Sequence, residues 1–462
     1  MAEPISPDHA VPAPACAGRW KRALGRLASL VLVLEIALAL RVVAADAVEW
    51  YVRHGDPTRL CVFPDTVSYW ELARTIRAGG PYEVVEWADI PHFALRTPGY
   101  PLVLAACQAL FGERTLAVRL VQAVLGTLSV YLVYRLARQF ARPENSDADP
   151  DGLPAQRRRT VPLVAAALAA VNPHYLLMSS LILSEAVFEP LMLASLLGLA
   201  VLWPDSSAGA DVRPTGWRAK LLALGVGAAA AAAVLVRPSW ALFVPAMLAA
   251  WIVASRRDRR SLAASMRGAV LCTIGVVAVM SPWWVRNARV FGRFVPTALW
   301  MGASLYDGLN PRATGASDMD DFLKDPEIWP LDEQDQDAEL TRRAIAFAQE
   351  QPMRVLVLAA IKVGRYWSPW PNAARLRSAV VTVGSSVVEL PLFGLIAAGL
   401  WDRRRDPRAW VLLAGPLLYF CALHMAFASS MRYRIPAEMP ALALAAIGCS
   451  RLATRHGSLD SV

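Results

Sequence analysis

Leu27-Ala28-Ser29-Leu30-Val31-Leu32-Val33-Leu34-Glu35-Ile36-Ala37-Leu38-Ala39-Leu40-Arg41-Val42-Val43-Ala44-Ala45-Asp46-Ala47 is long and apolar enough to cross the hydrocarbon of a bilayer. Comparable runs follow near residues 115–139, 161–180, 186–203, 219–236, 240–255, 267–285, 379–400, 408–427 and 434–452. The whole chain carries the same signal: 56% of its 462 residues are hydrophobic, 18% are charged and the mean hydropathy is +0.37. A soluble multidomain protein is excluded, and the predicted fold is an all-α polytopic bundle of about ten spans, give or take about two. A cleaved signal peptide is the competing reading of the N-terminus, because Val43-Ala44-Ala45-Asp46-Ala47 offers small residues at cleavage-like spacing. The length of the apolar stretch, with Glu35 and Arg41 inside it, favours a retained span.

The formal charge of +9 does not point to a nucleic acid, since the basic residues sit in short clusters between apolar runs. Arg19, Lys21, Arg22 and Arg26 precede the first run, Arg157 to Arg159 the third, Arg256 to Arg260 follow the sixth, and Arg403 to Arg405 lie between the eighth and ninth. Positive charge retained on the cytoplasmic side places both termini inside, with residues 1–26 and 453–462 as cytoplasmic tails around a membrane domain at 27–452. The long connections 48–114 and 286–352 then lie outside. Two apolar segments, 98–112 and 353–369, are too short to cross and are predicted to lie on the outer face. The six cysteines lack metal-ligand spacing; only Cys61 and Cys107 share the outer loop and could pair. The ends at 1–18 and 454–462 and the connection at 143–156 read as disordered, and the Ala-rich run Gly225 to Ala233 as a close-packing helix face.

Within the first outer loop, Phe63-Pro64-Asp65-Thr66-Val67-Ser68-Tyr69-Trp70 puts a carboxylate where loop becomes helix. Asp65 reads either as a helix cap or as the base that takes a proton from an attacking hydroxyl. Arg96, before Thr97-Pro98-Gly99-Tyr100-Pro101, reads either as a headgroup anchor or as a guanidinium that holds a phosphate. Ser184-Glu185 falls between the third and fourth spans, with Glu189 one turn on; a carboxylate there is costly unless paired or useful. Arg237, Arg286 with Asn287, and Arg432-Tyr433-Arg434 also mark outer ends of spans. Together with Arg96 these arginines would ring the outer mouth with positive charge suited to a lipid-linked phosphate. Tyr69 and Tyr100 are candidate pocket residues or interface anchors. Glu35 and Arg41 either neutralise one another or pair with neighbouring helices.

The order of Asp65, Arg96-Thr97-Pro98-Gly99-Tyr100-Pro101, Leu183-Ser184-Glu185, Val236-Arg237-Pro238, Pro282-Trp283-Trp284-Val285-Arg286-Asn287 with Phe291-Gly292, Asn310-Pro311 and Arg432-Tyr433-Arg434-Ile435-Pro436 resembles the bacterial C-type integral-membrane glycosyltransferases. The resemblance runs from about residue 30 to 452. It is greatest to the group typified by the Rhizobium lipopolysaccharide-core galacturonosyltransferases, and more distant to protein O-mannosyltransferases and the lipid A aminoarabinose transferase. It implies a C-type glycosyltransferase fold in the inner membrane and inverting transfer from a polyprenyl-phosphate sugar, at the periplasmic face, to a lipid, glycan or protein hydroxyl. By that resemblance Asp65 is the base, Arg96 holds the donor phosphate, and Glu185 is either an acceptor contact or a structural acid; Asp65 and Glu185 are thus the candidate catalytic acids, and the ring of charge adds Arg237, Arg286, Arg432 and Arg434 to Arg96 as candidate donor-phosphate ligands. Tyr69, Tyr100, Ser184 and Asn287 would line the pocket. Arginine and an intervening Thr97 stand where the aminoarabinose transferase pattern has lysine before two prolines. The first loop lacks a paired-acid motif, so neither metal nor cofactor is expected. The two D-x-D triplets, Asp147-Ala148-Asp149 and Asp318-Met319-Asp320, are read as chance matches in acidic loops. The alternative function is a flippase or transporter of polyprenyl-linked lipids, which would place its polar groups near the midplane instead of at one face.

Overall fold

The computed structural model of the chain describes residues 15–55, 63, 65–85, 90–141, 154–203, 214–319, 325–373 and 377–459, with the side chains of 15–26, 154–159 and 454–459 left out. The expectations for 1–14, for 143–153, for Cys61 and its pairing, for Asp147 to Asp149 and for Asp320 lie outside the described residues, as do those for the side chains of Arg19 to Arg26 and Arg157 to Arg159.

A long helix, α1 (Ala15–Gly55), leads into the first of the two connections predicted to lie outside, made of α2 (Asp65–Arg77), a short antiparallel ribbon of β1 (Val84–Val85) and β2 (Pro91–His92), and α3 (Gly99–Phe111). The bundle continues with α4 (Thr115–Phe140), α5 (Pro154–Val171), α6 (Pro173–Ser180), α7 (Glu185–Leu202), α8 (Gly216–Val236), α9 (Phe243–Ser255) and α10 (Arg259–Phe291). The second outer connection holds α11 (Met301–Gly308), α12 (Glu333–Glu350) and α13 (Pro352–Tyr366), and α14 (Ala379–Asp402), α15 (Gly415–Ala426) and α16 (Met431–Leu459) complete the chain. Among the described residues, eight helices are long and apolar enough to cross a membrane, and every run expected to cross coincides with a helix or helix pair.

Two of the expected crossings depart from simple rods. The run 161–180 is broken by 57° between α5 and α6. Asn172-Pro173 is the cause: proline disfavours helical backbone before it, and the Asn172 side chain restarts the helix by accepting from the His174 amide at 2.9 Å. The last run lies in α16, whose first turns carry Arg432, Arg434 and Glu438, so local hydropathy understates it. Residues 434–447 are nonetheless almost wholly buried in the middle of the bundle.

Close helix crossings depend on glycine. A Cβ at Gly227 of α8 would lie 1.8 Å from the Cys272 carbonyl of α10, and one at Gly399 of α14 would lie 1.8 Å from the Leu444 carbonyl of α16. Small residues let these backbones touch, which is how helices associate where the surroundings are as apolar as the side chains. The run from Gly227 to Ala233 thus packs as expected, while Gly225 at its start is exposed. Gly99 does the same for the outer connection: a Cβ there would meet the Leu235 carbonyl at 2.7 Å, so the start of α3 rests on the end of α8.

The two short apolar segments match α3 and α13. Thirteen and 15 residues rise about 20 and 22 Å, short of the roughly 30 Å hydrocarbon. In α13, Met353, Leu356, Val357 and Ile361 are exposed while Leu358, Ala359, Lys362 and Tyr366 are buried, and α13 turns 106° from the polar α12.

At the opposite end of the bundle from α2 and α3, arginines close the helices. Arg403 donates to the Phe140 carbonyl that ends α4, and Arg408 to the Ala200 carbonyl near the end of α7. Arg41 also serves carbonyls, those of Ala37, Ala169 and Ala170, so it caps the break after α5, while Glu35 is exposed.

Candidate active site at one end of the bundle

Asp65 opens α2, and the next residue, Thr66, donates its hydroxyl to the Ile182 carbonyl at 2.8 Å. That bond docks the start of α2 on the non-helical link between α6 and α7. Glu185 begins α7 from the same link, Arg237 ends α8, and Arg432 lies in the first turn of α16. Four chain segments therefore deliver charged groups to one place.

There they form a connected cluster. Arg96 Nη2 lies 3.2 Å from Asp65 Oδ1, and Arg432 Nη1 and Nη2 lie 3.3 and 3.4 Å from Oδ2. Arg432 Nε donates to Glu185 Oε1 at 2.8 Å, and Arg237 Nη1 reaches the same oxygen at 3.0 Å. Three guanidinium groups face two carboxylates, which leaves one positive charge in excess. The two acids differ sharply: the Asp65 side chain is 39% exposed, that of Glu185 0%. Asp65 can meet a solute; Glu185 can only hold arginines. Burial tends to raise the Asp65 carboxyl, but the Arg96 and Arg432 charges outweigh it and hold it below the usual carboxylate range.

Aromatic rings set the guanidinium planes. Arg96 stacks over Tyr69 at 5.2 Å and Trp300 at 5.9 Å from the ring centroids, and its Nε points to Ser68 at 3.3 Å. Arg237 sits among Phe188, Phe420 and Tyr433 at 5.6 to 5.9 Å, and Arg432 lies 5.0 Å over Phe63. Desolvated cation–π contacts of this kind contribute about 2 kcal/mol or more. Tyr69 meets Tyr100 edge to face and bonds Ser184. The Tyr100 hydroxyl accepts from Gln122 at 3.3 Å, and Ser184 Oγ donates to Glu185 Oε2 at 3.4 Å.

The remaining sequence candidates go elsewhere. Arg286 donates to the carbonyls of Phe93 at 2.7 Å and Tyr82 at 2.8 Å, and the buried Asn287 donates to the Val295 carbonyl at 3.2 Å. Arg286 ties the ribbon of the first connection to the end of α10, and Asn287 holds the chain that leaves it. Arg434 is fully buried among Glu389, Glu438 and the carbonyls of Tyr366 and Ser368. It is remote in character from Arg432, two residues away. Trp300, Tyr433 and Phe188, which orient the site arginines, were not singled out from the sequence; each is an ordinary aromatic until the chain folds around a guanidinium.

A profile of the Alg9-like mannosyltransferase family matches residues 27–300. A search of curated proteins finds no significant match. Among solved structures, the chain is similar to the archaeal oligosaccharyltransferase AglB of Archaeoglobus fulgidus in complex with an inhibitory peptide and a dolichol-phosphate, with a TM-score of 0.56 and 14% identity over 96% of this chain and 52% of that one. The apo form of that oligosaccharyltransferase gives 0.55 and 15% over 94% and 52%. ArnT of Cupriavidus metallidurans bound to undecaprenyl phosphate gives 0.40 and 16% over 93% and 79%. The chain spans about half the length of the oligosaccharyltransferase it matches. The family match and the likeness to the oligosaccharyltransferase establish a C-type glycosyltransferase fold, at a coarser level than the Rhizobium group named by the sequence resemblance.

Proposed function

This chain belongs to the Alg9-like mannosyltransferase family, and on that premise we propose that it transfers a sugar from a polyprenyl-phosphate donor to a hydroxyl of a lipid, glycan or protein of the cell envelope. One observation carries the reading: the exposed Asp65 carboxylate is fixed between two guanidiniums in a cluster with one positive charge to spare. An incoming donor phosphate would supply the missing negative charge through Arg96 and Arg432, with Arg237 behind them. The acceptor oxygen attacks the anomeric carbon, its proton passes to Asp65, and the bond from that carbon to the phosphate oxygen breaks. Polyprenyl phosphate then departs with its charge held by the arginines, and the single displacement inverts the anomeric centre. Glu185, buried and doubly paired, orients Arg237 and Arg432 and takes no proton. Asp65 and the arginines would face the periplasm, opposite the basic connections. The sugar, the acceptor and the choice between hexose and pentose would be set by the connection at 286–352.

The test uses purified protein in detergent with a polyprenyl-phosphate sugar. Asp65→Asn is expected to lower transfer by about 10²- to 10⁴-fold while donor binding persists, since the amide keeps the shape but cannot take the proton. Transfer at the wild-type rate by a folded Asp65→Asn protein would return Asp65 to the role of a helix cap.

A further inference from the structure

The second outer connection reaches into the first through one side chain. Glu333, the first residue of α12, is buried; its Oε2 accepts from the Phe93 amide at 2.7 Å and its Oε1 from the Ala94 amide at 2.9 Å. The other face of the same segment is held by Arg286 on the Phe93 carbonyl and by the Leu299 amide on the Ala94 carbonyl at 2.8 Å. Two residues further on is Arg96, whose carbonyl accepts from the Tyr82 hydroxyl at 3.0 Å and whose guanidinium lies against Trp300. The backbone that carries Arg96 is thus bound on one side by Glu333, 240 and 239 positions away in sequence, and on the other by Arg286, 193 positions away.

We propose that Glu333 is a positioning residue for transfer: its carboxylate grips the Phe93 and Ala94 amides and so holds Arg96 where the donor phosphate binds. The inference rests on the reading of Arg96 as a phosphate ligand. An ionised carboxylate is what two adjacent amides require, because both oxygens then accept. Burial pushes Glu333 up to about 7, against the pull of the two amides and of Arg286. The clamp is therefore complete above that pH and loosens as pH falls through it, when one oxygen gains a proton. The charged and titratable groups facing Glu333 are His92 on β2, with Nδ1 4.0 Å away, Arg286 on α10, Tyr82 before β1, and Asp337 one turn along α12. Asp337 is itself bonded by the Gly302 amide of α11 and feels Arg293.

Three measurements separate the clamp from the site. Hydrogen exchange of the Phe93 and Ala94 amides in the wild-type protein, corrected for intrinsic rate, should lose protection as pH falls through about 7, the value burial gives Glu333. Glu333→Gln, which keeps one accepting oxygen of the two, should lack that step and already show the reduced protection at pH 8, whereas His92→Asn should keep it. At pH 8, Glu333→Gln should weaken binding of polyprenyl phosphate about tenfold, the size of one lost charge-assisted hydrogen bond. In an Arg96→Ala background the same substitution should cost nothing further, since its effect passes through Arg96. Independent losses in the double variant, or unchanged exchange at the two amides, would overturn the inference. Undiminished polyprenyl phosphate binding by Arg96→Ala would instead remove Arg96 from the phosphate, with the exchange result still reporting on the clamp.

Discussion

Arg432 and Arg434 are two residues apart on α16 and live in opposite worlds. Two helical positions turn the side chain through about 200°, so the pair points to opposite faces. Arg432 looks toward the end of the bundle that carries α2 and α3, where it shares Glu185 with Arg237 and touches the partly exposed Asp65. Arg434 looks into the bundle, where it is closed off with Glu389 and Glu438, both 0% exposed. Tyr175 donates to Glu438, His174 stands 2.9 Å from Glu389, and the Phe393 ring covers the guanidinium. The chemistry of the groups is the same; what differs is charge balance and access. The outer cluster has a surplus arginine and an exposed acid, as a site awaiting an anion should. The inner cluster has two acids for one arginine and no opening, so it serves to fix α16 against α14 and α6.

The comparison breaks first at Arg434. Arg434→Leu leaves two buried carboxylates without their cation and should cost about 3–5 kcal/mol, visible as poor yield of folded protein or a large fall in melting temperature in detergent. Adding Glu389→Gln and Glu438→Gln to that variant should recover much of the loss, because the buried charges go together. A stable Arg434→Leu protein would show that the inner cluster does not hold the helices.

Arg432→Ala should do the reverse. Asp65 keeps Arg96 and Glu185 keeps Arg237, so folding should fall by only about 1–2 kcal/mol. Transfer should fall by about 10²-fold, because leaving-group charge and the placement of Asp65 lose a partner together. Equal effects of Arg432→Ala and Arg434→Leu on melting temperature would erase the distinction between the clusters.

The smallest effect concerns pH. Asp65 is depressed in the folded protein, so its contribution to stability is present above the ordinary carboxylate value and is lost as pH falls through the depressed one. The acid limb of kcat/KM should lie below the ordinary carboxylate range for the same reason. Arg96→Ala removes the stronger of the two opposing charges and should move that limb upward, which a pH–rate profile at saturating acceptor reads directly.

Glu185 shows how far the sequence reading of the site reached and where it stopped. A glutamate flanked by Leu183, Ser184, Ala186 and Val187 announces itself as costly, so its importance was legible. That it is sealed and holds two arginines, while Asp65 stays open, was not; exposure is a property of the packed bundle. Arg286 stood in as good a motif as Arg237, yet folding gives its donors to the Tyr82 and Phe93 carbonyls. Glu333 carried no signal at all, lying in a polar segment like many others.

Hydropathy is local: each residue carries its own transfer free energy into the bilayer, so the run of apolar segments and the two segments too short to cross could be read along the chain, whereas the break at Asn172-Pro173 lay inside a run read as one crossing. The residue types needed for the chemistry could be read in the same way. Which guanidinium meets which carboxylate could not, because the partners of Asp65 lie 31 and 367 residues away and are chosen by helix rotation and by the glycine crossings that set how near the helices come. Sequence determined the spans and the stock of charges; tertiary structure decided which charges remain open to a ligand, since only packing can shield one arginine and expose the acid beside another.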